Sequence, residues 1–434
     1  MDWKLCGYNI LLVLLSPYIL WRKAKRARSR RTSHEFDWQR WVCNNAEYSD
    51  AGKTRVVLLC TGLGEVLIAA ELTSRLQKQR ADLEILWSIR RSDVRELAGQ
   101  KYPQQKTVTL PFDFFWPCRK WLSRARPNLI VSIERLWWPN LFWLARHSGI
   151  STMVVAGTDF SRITFPAWSR INHWTLRGLD KIGLQNESEK EKLAELLPPG
   201  KTCVTGALKW FEQSGPNGST PQALSLKNWM NPDSQPVLIA GSTHDGEEEF
   251  VLQAFEKVRR ECDCRLLIAP RQLHRVENIV ERCHATGWST QQRSQSNDAN
   301  DISNPADVLI LDTMGELALS YRFARAAFIG GTLRGAGHNL LEPLTVEVPV
   351  AFGSGGKNKL PTDLQQATIT AGIGRRVETP EALAEFWKSI LQNEEMEENH
   401  RTRFEKFRQS QLAAWDKTVS AILEQIDATK NSHS

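Results

Sequence analysis

The stretch "RVVLLCTGLGEVLIAAELTSRLQKQRADLEILWSI", residues 55–89, decides the fold. Its start, "RVVLLC", reads as a buried strand, because it is a short apolar run that ends at a glycine-containing turn. Residues 64–79 repeat apolar side chains at three- and four-residue spacing, which predicts a helix, and residues 83–89 read as a second strand. A strand, a helix and a strand in this order predict a parallel sheet covered by helices.

The same alternation continues through the chain and predicts an α/β protein of two Rossmann-like domains. The 434 residues are more than one hydrophobic core usually serves. "SGPNGSTPQ", residues 214–222, interrupts the alternation and reads as the linker between the domains. The predicted parts are an N-terminal domain over 46–213, a C-terminal domain over 223–385 and a helical segment over 386–434, with a polar surface loop over 291–305.

The N-terminus carries the excess positive charge of the chain. The net charge is +7, and residues 22–31, "RKAKRARSRR", contain seven basic residues and no acid, so the remainder is near neutral (7 − 7 = 0) and gives no indication of nucleic-acid binding. Residues 5–21 are uncharged and mostly apolar, and basic residues directly after such a run mark the cytoplasmic side of a membrane. We therefore predict a single anchor over 1–21, spanning the membrane or lying in its interface, and a basic juxtamembrane segment over 22–45. The alternative is a buried N-terminal helix with a solvated basic tail.

The eight cysteines are scattered along the chain. Cys262 and Cys264 are separated by one residue, which is shorter than the spacing of zinc-ligand pairs. We expect reduced, buried thiols and no bound metal.

Polar motifs follow the predicted strands in both domains. They are residues 62–65, 134, 242–248, 271, 313–316 and 330–342. Since ligands of open α/β sheets bind outside the carboxyl ends of the strands, we expect these motifs to converge on one cleft. Neither a GxGxxG fingerprint nor a GxxxxGK[ST] loop follows any of these strands, which excludes those two nucleotide-binding modes.

Individual residues of these motifs suggest nucleotide and acid–base chemistry. In "GGTLRGAGHNLLEPL", residues 330–344, a glycine turn and a helix start could approach a phosphate, and Glu342 could accept hydrogen bonds from ribose hydroxyls. Arg271 could grip a phosphate or a carboxylate, and Glu65 could take a proton from an attacking hydroxyl. The plainer alternatives are a simple strand–turn–helix connection, a solvated arginine and a first-turn glutamate favoured by the helix dipole.

The order of the motifs resembles one family. GEV, a strand-end glutamate followed by WPN, VTGxLK, GSTHxGEE, APR, DTMGEL and GG…GHNxLEP follow one another between about residues 55 and 360. This order is similar to that of the 3-deoxy-D-manno-octulosonic acid (Kdo) transferases, which attach Kdo from CMP-Kdo to lipid A precursors. The resemblance implies two Rossmann-like domains of the glycosyltransferase B fold, no metal or other cofactor, and a place on the cytoplasmic face of the inner membrane, held by residues 1–31.

The resemblance also implies roles for individual residues. Glu65 matches the proposed catalytic base, and Glu134, with Gly62 and Gly64, falls on the acceptor side. The positions that match the donor-binding side are Lys209, Ser242, His244, Arg271, Met314, Gly315, Glu316, Asn339 and Glu342.

The chain departs from the family pattern on the acceptor side. Leu59 and Gly62 stand where the family has His and Ser, Leu136 replaces the second acid before WPN, and Gln272 replaces the His after APR. "SIRRSD", residues 88–93, stands in place of a Thr-rich motif. The resemblance therefore predicts an inverting transferase of Kdo, or a related acidic sugar, from CMP-Kdo to a lipid A precursor. The alternatives are a non-catalytic homologue that binds nucleotide or lipid A as a scaffold, and a transferase that uses another nucleotide sugar.

Overall fold

The computed structural model describes residues 3–30, 39–43, 53–134, 138–158, 160, 166–208, 220–231, 233–296, 306–333, 335, 339–355, 363–392 and 395–431. The chain forms two compact units, the first made of Met1–Phe211 with Gln411–Ser434 and the second of Glu212–Ser410. Most of the predicted linker lies outside the described residues, and its last two residues already belong to a helix.

Each unit contains a parallel sheet. The strands of the first sheet are β1 Thr54–Cys60, β2 Leu83–Ile89, β3 Thr107–Thr109, β4 Leu129–Ile133, β5 Ser151–Gly157, β6 Lys181–Leu184 and β7 Thr202–Val204. Those of the second are β8 Val237–Thr243, β9 Arg265–Pro270, β10 Thr290–Gln292, β11 Val308–Ile310, β12 Ala326–Ile329, β13 Val350–Phe352 and β14 Gly374–Arg376. The central strand β1 is buried at every residue, as expected of a parallel strand covered on both faces.

Helices connect the strands. In the first unit they are α1 Trp3–Arg30, α2 Gln39–Val42, α3 Leu63–Gln79, α4 Ser92–Lys101, α5 Phe115–Ala125, α6 Pro139–His147, α7 Pro166–Gly178 and α8 Glu187–Ala194. They continue as α9 Pro221–Met230, α10 Glu247–Arg259, α11 Val276–Ala285, α12 Leu317–Ser320, α13 Leu341–Leu344, α14 Asp363–Thr370, α15 Pro380–Leu391 and α16 Glu395–Asn431.

The strand orders define a switch point in each sheet. The first sheet has the order β3-β2-β1-β4-β5-β6-β7 and the second the order β10-β11-β9-β8-β12-β13-β14. In the first sheet the connections leave β1 in one direction and return to β4 on its other side; in the second, β8 and β12 have the same relation. The carboxyl ends of these strand pairs are where open α/β sheets bind ligands.

The last part of the chain belongs to the core of the first unit. One face of the first sheet packs against α3, α4 and the C-terminal part of α16, where Trp415 and Ile422 are completely buried. The other face packs against α5, α6, α7 and α8. The predicted C-terminal helical segment is therefore in part a layer of the first unit.

Three local expectations differ from the structure. Residues 291–292, predicted to be loop, belong to strand β10, and residues 297–305 of that loop lie outside the described residues. The helices that follow "DTMGEL" and "GHN" are single turns, α12 and α13, with four residues each. Such short helices have little macrodipole, because few peptide dipoles add up.

The predicted anchor is a helix that continues into the basic segment. α1 has 28 residues and contains Pro17. Within the described part of the chain, no helix combines the length and the apolar character needed to cross a membrane.

Candidate functional site

Glu65 lies at the carboxyl end of β1, in the first turn of α3. Its Oε2 accepts the Gly62 N–H at 2.8 Å and its Oε1 accepts the Thr61 hydroxyl at 2.5 Å, while Gly62 caps the helix. This is the glutamate half of a capping box, in which Glu65 satisfies the amide of the N-cap residue, because Gly62 has no side chain to return the bond. Glu65 is 9% exposed, and each carboxylate oxygen keeps lone pairs beyond these two bonds. Glu65 is thus a helix-start residue, as the plainer interpretation predicted. Its carboxylate can still accept a proton from a ligand.

Glu134 lies at the end of the neighbouring strand β4. Its φ of +61° places it in the left-handed region, which is uncommon for a residue with a side chain. Its N–H donates to Val155 O at 2.9 Å, which fixes the end of the strand. β1 and β4 pair directly, so Glu65 and Glu134 leave the sheet at adjacent strand ends.

The donor-side motifs leave four adjacent strands of the second sheet. These strands are β11, β9, β8 and β12, which are hydrogen-bonded neighbours and parallel. Ser242 sits at a register shift between β8 and β9 and has a left-handed φ of +56°. A Cβ on Gly330 would lie 2.3 Å from Ser242 O and 2.5 Å from Thr243 Cα, so only glycine lets the two strand ends approach this closely.

Glu247 joins the loops that follow β8 and β12. Its Oε2 accepts the His244 N–H at 3.0 Å and the Gly331 N–H at 2.6 Å, and its Oε1 accepts the Leu333 N–H at 3.1 Å. The side chain is 4% exposed. Amides of the glycine turn that the sequence suggested for a phosphate are therefore occupied by a carboxylate of the protein.

Two further donor-side positions show different surroundings. Arg271 is exposed, and its backbone N–H donates to Thr243 O at 3.0 Å. Among the described residues, no carboxylate forms an ion pair with its guanidinium. Glu248 is fully buried and is paired with Arg275 at 2.9 Å. Arg271 can thus bind a ligand anion. Glu248 and Arg275 instead bind each other and stabilise the loop that follows β8.

The turn after β11 exposes one side chain and buries another. Met314 is 76% exposed, and Gly315 has a φ of +87°. Glu316 is 5% exposed, accepts the Thr313 hydroxyl, and pairs with Arg293 at 3.2 Å. Burial by itself raises the pKa of Glu316, but the hydrogen bonds from Arg293 and Thr313 outweigh it and hold the pKa below its usual value. Glu316 is therefore ionised, and it stabilises the turn after β11 through Thr313 and Arg293.

The last donor-side motif lies around α13. Asn339 is exposed, and its Oδ1 accepts the Leu341 N–H at 3.0 Å. Burial raises the pKa of Glu342, and a hydrogen bond from the Asn339 side chain opposes that rise. Hydroxyl donors of a ligand would stabilise this half-buried carboxylate.

The structure thus places the predicted residues that it describes at the carboxyl ends of neighbouring strands, in one group in each unit. Lys209 lies outside the described residues, as do residues 334 and 336–338 of the last motif. The sequence alone did not predict individual roles for Thr61, Glu247 and Arg293. Only Glu247 had a local signal, as the first acid of "GEEEF" at the start of a helix.

Two α/β units with parallel sheets and polar strand ends define the glycosyltransferase B class of folds. A solved glycosyltransferase from Rickettsia africae has a TM-score of 0.59 and 11% sequence identity over 87% of this chain and 99% of that chain. At this identity the similarity supports the fold.

Residues 30–212 match the family model of the 3-deoxy-D-manno-octulosonic acid transferase. A 3-deoxy-D-manno-octulosonic acid transferase from Chlamydia pneumoniae is 28% identical over 78% of this chain and 77% of its own length. A bifunctional glycosyltransferase/methyltransferase from Fusobacterium nucleatum is 27% identical over 92% of this chain, which spans 61% of that protein. These matches confirm the resemblance of the motifs to the Kdo transferases.

Proposed function

We propose that the protein transfers Kdo from CMP-Kdo to a hydroxyl of a lipid A precursor, with inversion at the anomeric carbon. The observation that carries this proposal is that the motif residues which the structure describes follow neighbouring strands at the carboxyl edge of each sheet, in a chain similar to the Kdo transferases. The role of each residue is part of the proposal.

On the donor side, exposed groups would hold the cytidylate. Arg271 would pair with the phosphate, because its guanidinium is exposed and can form two parallel hydrogen bonds. Glu342 and Asn339 would bind the ribose hydroxyls, and Met314 would cover the base with its exposed side chain. Glu247 and Glu316 would shape the loops without touching the nucleotide, since their carboxylates are buried in protein contacts.

On the acceptor side, Glu65 would act as the general base. The acceptor hydroxyl gives its proton to the Glu65 carboxylate, its oxygen bonds to the anomeric carbon, and the bond from that carbon to the phosphate oxygen breaks. CMP leaves with the electron pair as a stable anion, so the protein need not protonate it. We expect no metal or other cofactor in this displacement.

We further propose that α1 lies in the membrane interface. Its exposed apolar side chains recur at helical spacing along one face, which we call the outer face of α1: Ile10, Val13, Leu14, Tyr18 and Trp21, each at least 55% exposed. The basic run of residues 22–31 follows this face and is complementary to anionic headgroups. We propose that the outer face of α1 binds to the cytoplasmic face of the inner membrane.

Transfer is tested with the purified full-length chain. Incubated with CMP-Kdo generated in situ and a tetraacyl lipid A precursor, the wild type should add Kdo, seen as a mass increment. Glu65→Gln keeps an oxygen for the Gly62 amide but is a far weaker base, so the rate should fall at least a hundredfold. Glu71→Gln, on the same helix and paired with Arg75, is the matched control and should retain activity.

The outcomes separate the candidate functions. A wild type that binds CMP but transfers nothing would favour the scaffold, and transfer from another nucleotide sugar only would favour a different donor. Full activity of Glu65→Gln would remove Glu65 from the mechanism.

Membrane attachment is tested by sedimentation with vesicles. Leu14→Ser on the outer face of α1 should weaken binding to vesicles that contain anionic lipid, whereas Leu224→Ser, at a leucine of α9 that is 51% exposed, should not. Equal binding of both variants would contradict the interfacial helix.

A further inference from the structure

The side of α1 opposite the exposed apolar residues is built into the first unit. Leu5 is completely buried and Tyr8 is 4% exposed. Asn9 follows Leu5 by one helical turn, and its side-chain amide donates to Leu5 O at 2.9 Å. We call Leu5, Tyr8 and Asn9 the inner face of α1.

The inner face makes specific polar contacts with two distant segments. The Tyr8 hydroxyl donates to Asp113 Oδ2 at 2.8 Å. Asn9 and Asn140 exchange hydrogen bonds through their side-chain amides, at 2.8 Å and 3.1 Å, and Asn140 is fully buried. A tether that served only to attach the protein to lipid would not need such directed bonds with the folded unit.

Asp113 and Asn140 in turn fix the start of α6. The Asp113 carboxylate accepts the N–H groups of Asn140 and Leu141, both at 3.1 Å, and Asn140 Nδ2 donates to Asp113 O at 2.7 Å. Trp138 Nε1 donates to Pro111 O at 3.1 Å, which ties the preceding residue to the same loop. These contacts explain the WPN motif, because Trp138 and Asn140 hold the helix start in place.

The fixed helix start lies close to Glu134 in the chain. Glu134 ends β4 in the left-handed conformation, and Trp138 follows it four positions later. The sheet therefore holds Glu134, and the contacts with Pro111 and with α1 hold Trp138 and Asn140 a short distance further along the chain.

We propose that the inner face of α1 holds the start of α6 in the position that the acceptor side of the site requires, so that Tyr8 and Asn9 are positioning residues of the transferase as well as parts of its membrane helix. This inference rests on the proposed function in that Glu134 faces the acceptor. The two faces of α1 then have separable roles: the outer face binds the membrane and the inner face holds the start of α6.

The test uses the full-length chain in detergent micelles that contain the acceptor, where attachment to a bilayer is not required. Tyr8→Phe removes only the hydroxyl and should raise the acceptor KM about fivefold, as expected for the loss of one hydrogen bond, with the KM for CMP-Kdo unchanged. Leu224→Ser, on α9 and in no proposed site, should leave both KM values within about twofold. An unchanged acceptor KM in Tyr8→Phe, or an equal rise of both KM values, would overturn the proposal.

Hydrogen exchange separates this inference from the proposed function. Because the amides of Asn140 and Leu141 donate to Asp113, peptides that cover residues 138–141 should exchange faster in Tyr8→Phe than in wild type and in Leu14→Ser. Faster exchange in Tyr8→Phe, together with a wild type that transfers no sugar, would refute the proposed transferase activity. It would still support the coupling between Tyr8 and the start of α6. Unchanged exchange would refute the coupling whatever the activity.

Discussion

Replacing Glu247 with glutamine tests whether the donor loops are held together by one buried carboxylate. Glu247 accepts three backbone N–H groups, from His244, Gly331 and Leu333. Glutamine can place its single oxygen at the position of Oε2 and keep two of them. Its NH2 group must then face the Leu333 N–H, so that two donors oppose each other where the carboxylate oxygen stood.

The size of the effect follows from these contacts. An amide left without an acceptor in a buried place costs about 1–3 kcal/mol. The two remaining bonds lose the strength that an ionised acceptor gives, which adds about 1 kcal/mol. The arrangement of the donor loops should therefore lose about 2–4 kcal/mol of stability. Each 1.4 kcal/mol corresponds to a tenfold change in affinity, so the Kd for CMP should rise at least about tenfold.

A competing effect has the opposite sign. Glu247 places a negative charge at the amides that a phosphate would otherwise meet, so its neutralisation would tighten CMP binding if the phosphate had to displace it. Calorimetric titration with CMP decides between the two effects. Glu249→Gln is the matched control, because Glu249 lies in the same helical turn with its side chain 65% exposed. A Kd for Glu247→Gln that is unchanged or lower would refute the reasoning.

Three further predictions concern the stability of the two units, and each is checked by thermal unfolding. Gly330→Ala should lower the melting temperature, because its Cβ would lie 2.3 Å from a backbone oxygen, whereas Gly64→Ala meets nothing within 4 Å and should leave it unchanged or slightly raised. Arg293→Ala should destabilise by about 3–5 kcal/mol, because it leaves the buried Glu316 without a cation, and additional Glu316→Gln should recover part of the loss. Burial raises the pKa of Asp113 from 3.8 to about 6, against hydrogen bonds that lower it. The stability from this group is therefore fully present below pH 3.8 and is lost as the pH rises to about 6, by up to about 3 kcal/mol, and Asp113→Asn should flatten that dependence.

The sequence predicted what depends on local periodicity. Apolar runs such as residues 55–60 and 237–240 mark strands buried on both faces, and the polar residues that follow them mark the carboxyl edge. The placement of Glu65 after β1 and of Ser242 at the end of β8 follows from this pattern alone. Right-handed crossovers limit the possible strand orders but do not choose one, so the switch points themselves are known only from the structure.

The remaining features depend on contacts between segments far apart in the chain. An amphipathic pattern shows that one side of α16 is buried but not that Trp415 packs on the first sheet. The bonds of Asp113 with Tyr8 and Asn140 span 105 and 27 residues, and no local pattern pairs them. Glu247 resembles any first-turn acid until its three backbone donors are seen. Sequence periodicity gives the exposed and buried sides of an element, whereas the partner of each side is a property of the fold.

The departures from the family pattern around Glu65 are compatible with a functional carboxylate. Leu59 is 1% exposed and fills the core of the sheet, so it cannot act in the site. A Cβ at Gly62 would lie 3.1 Å from Glu65 Oε2, so any side chain there would crowd the carboxylate. The Thr61 hydroxyl, one position earlier, donates to Glu65 at 2.5 Å and supplies a hydroxyl like that of the absent serine. The local chemistry of a hydroxyl beside a carboxylate is thereby retained through a neighbouring residue, which favours an active transferase over a scaffold.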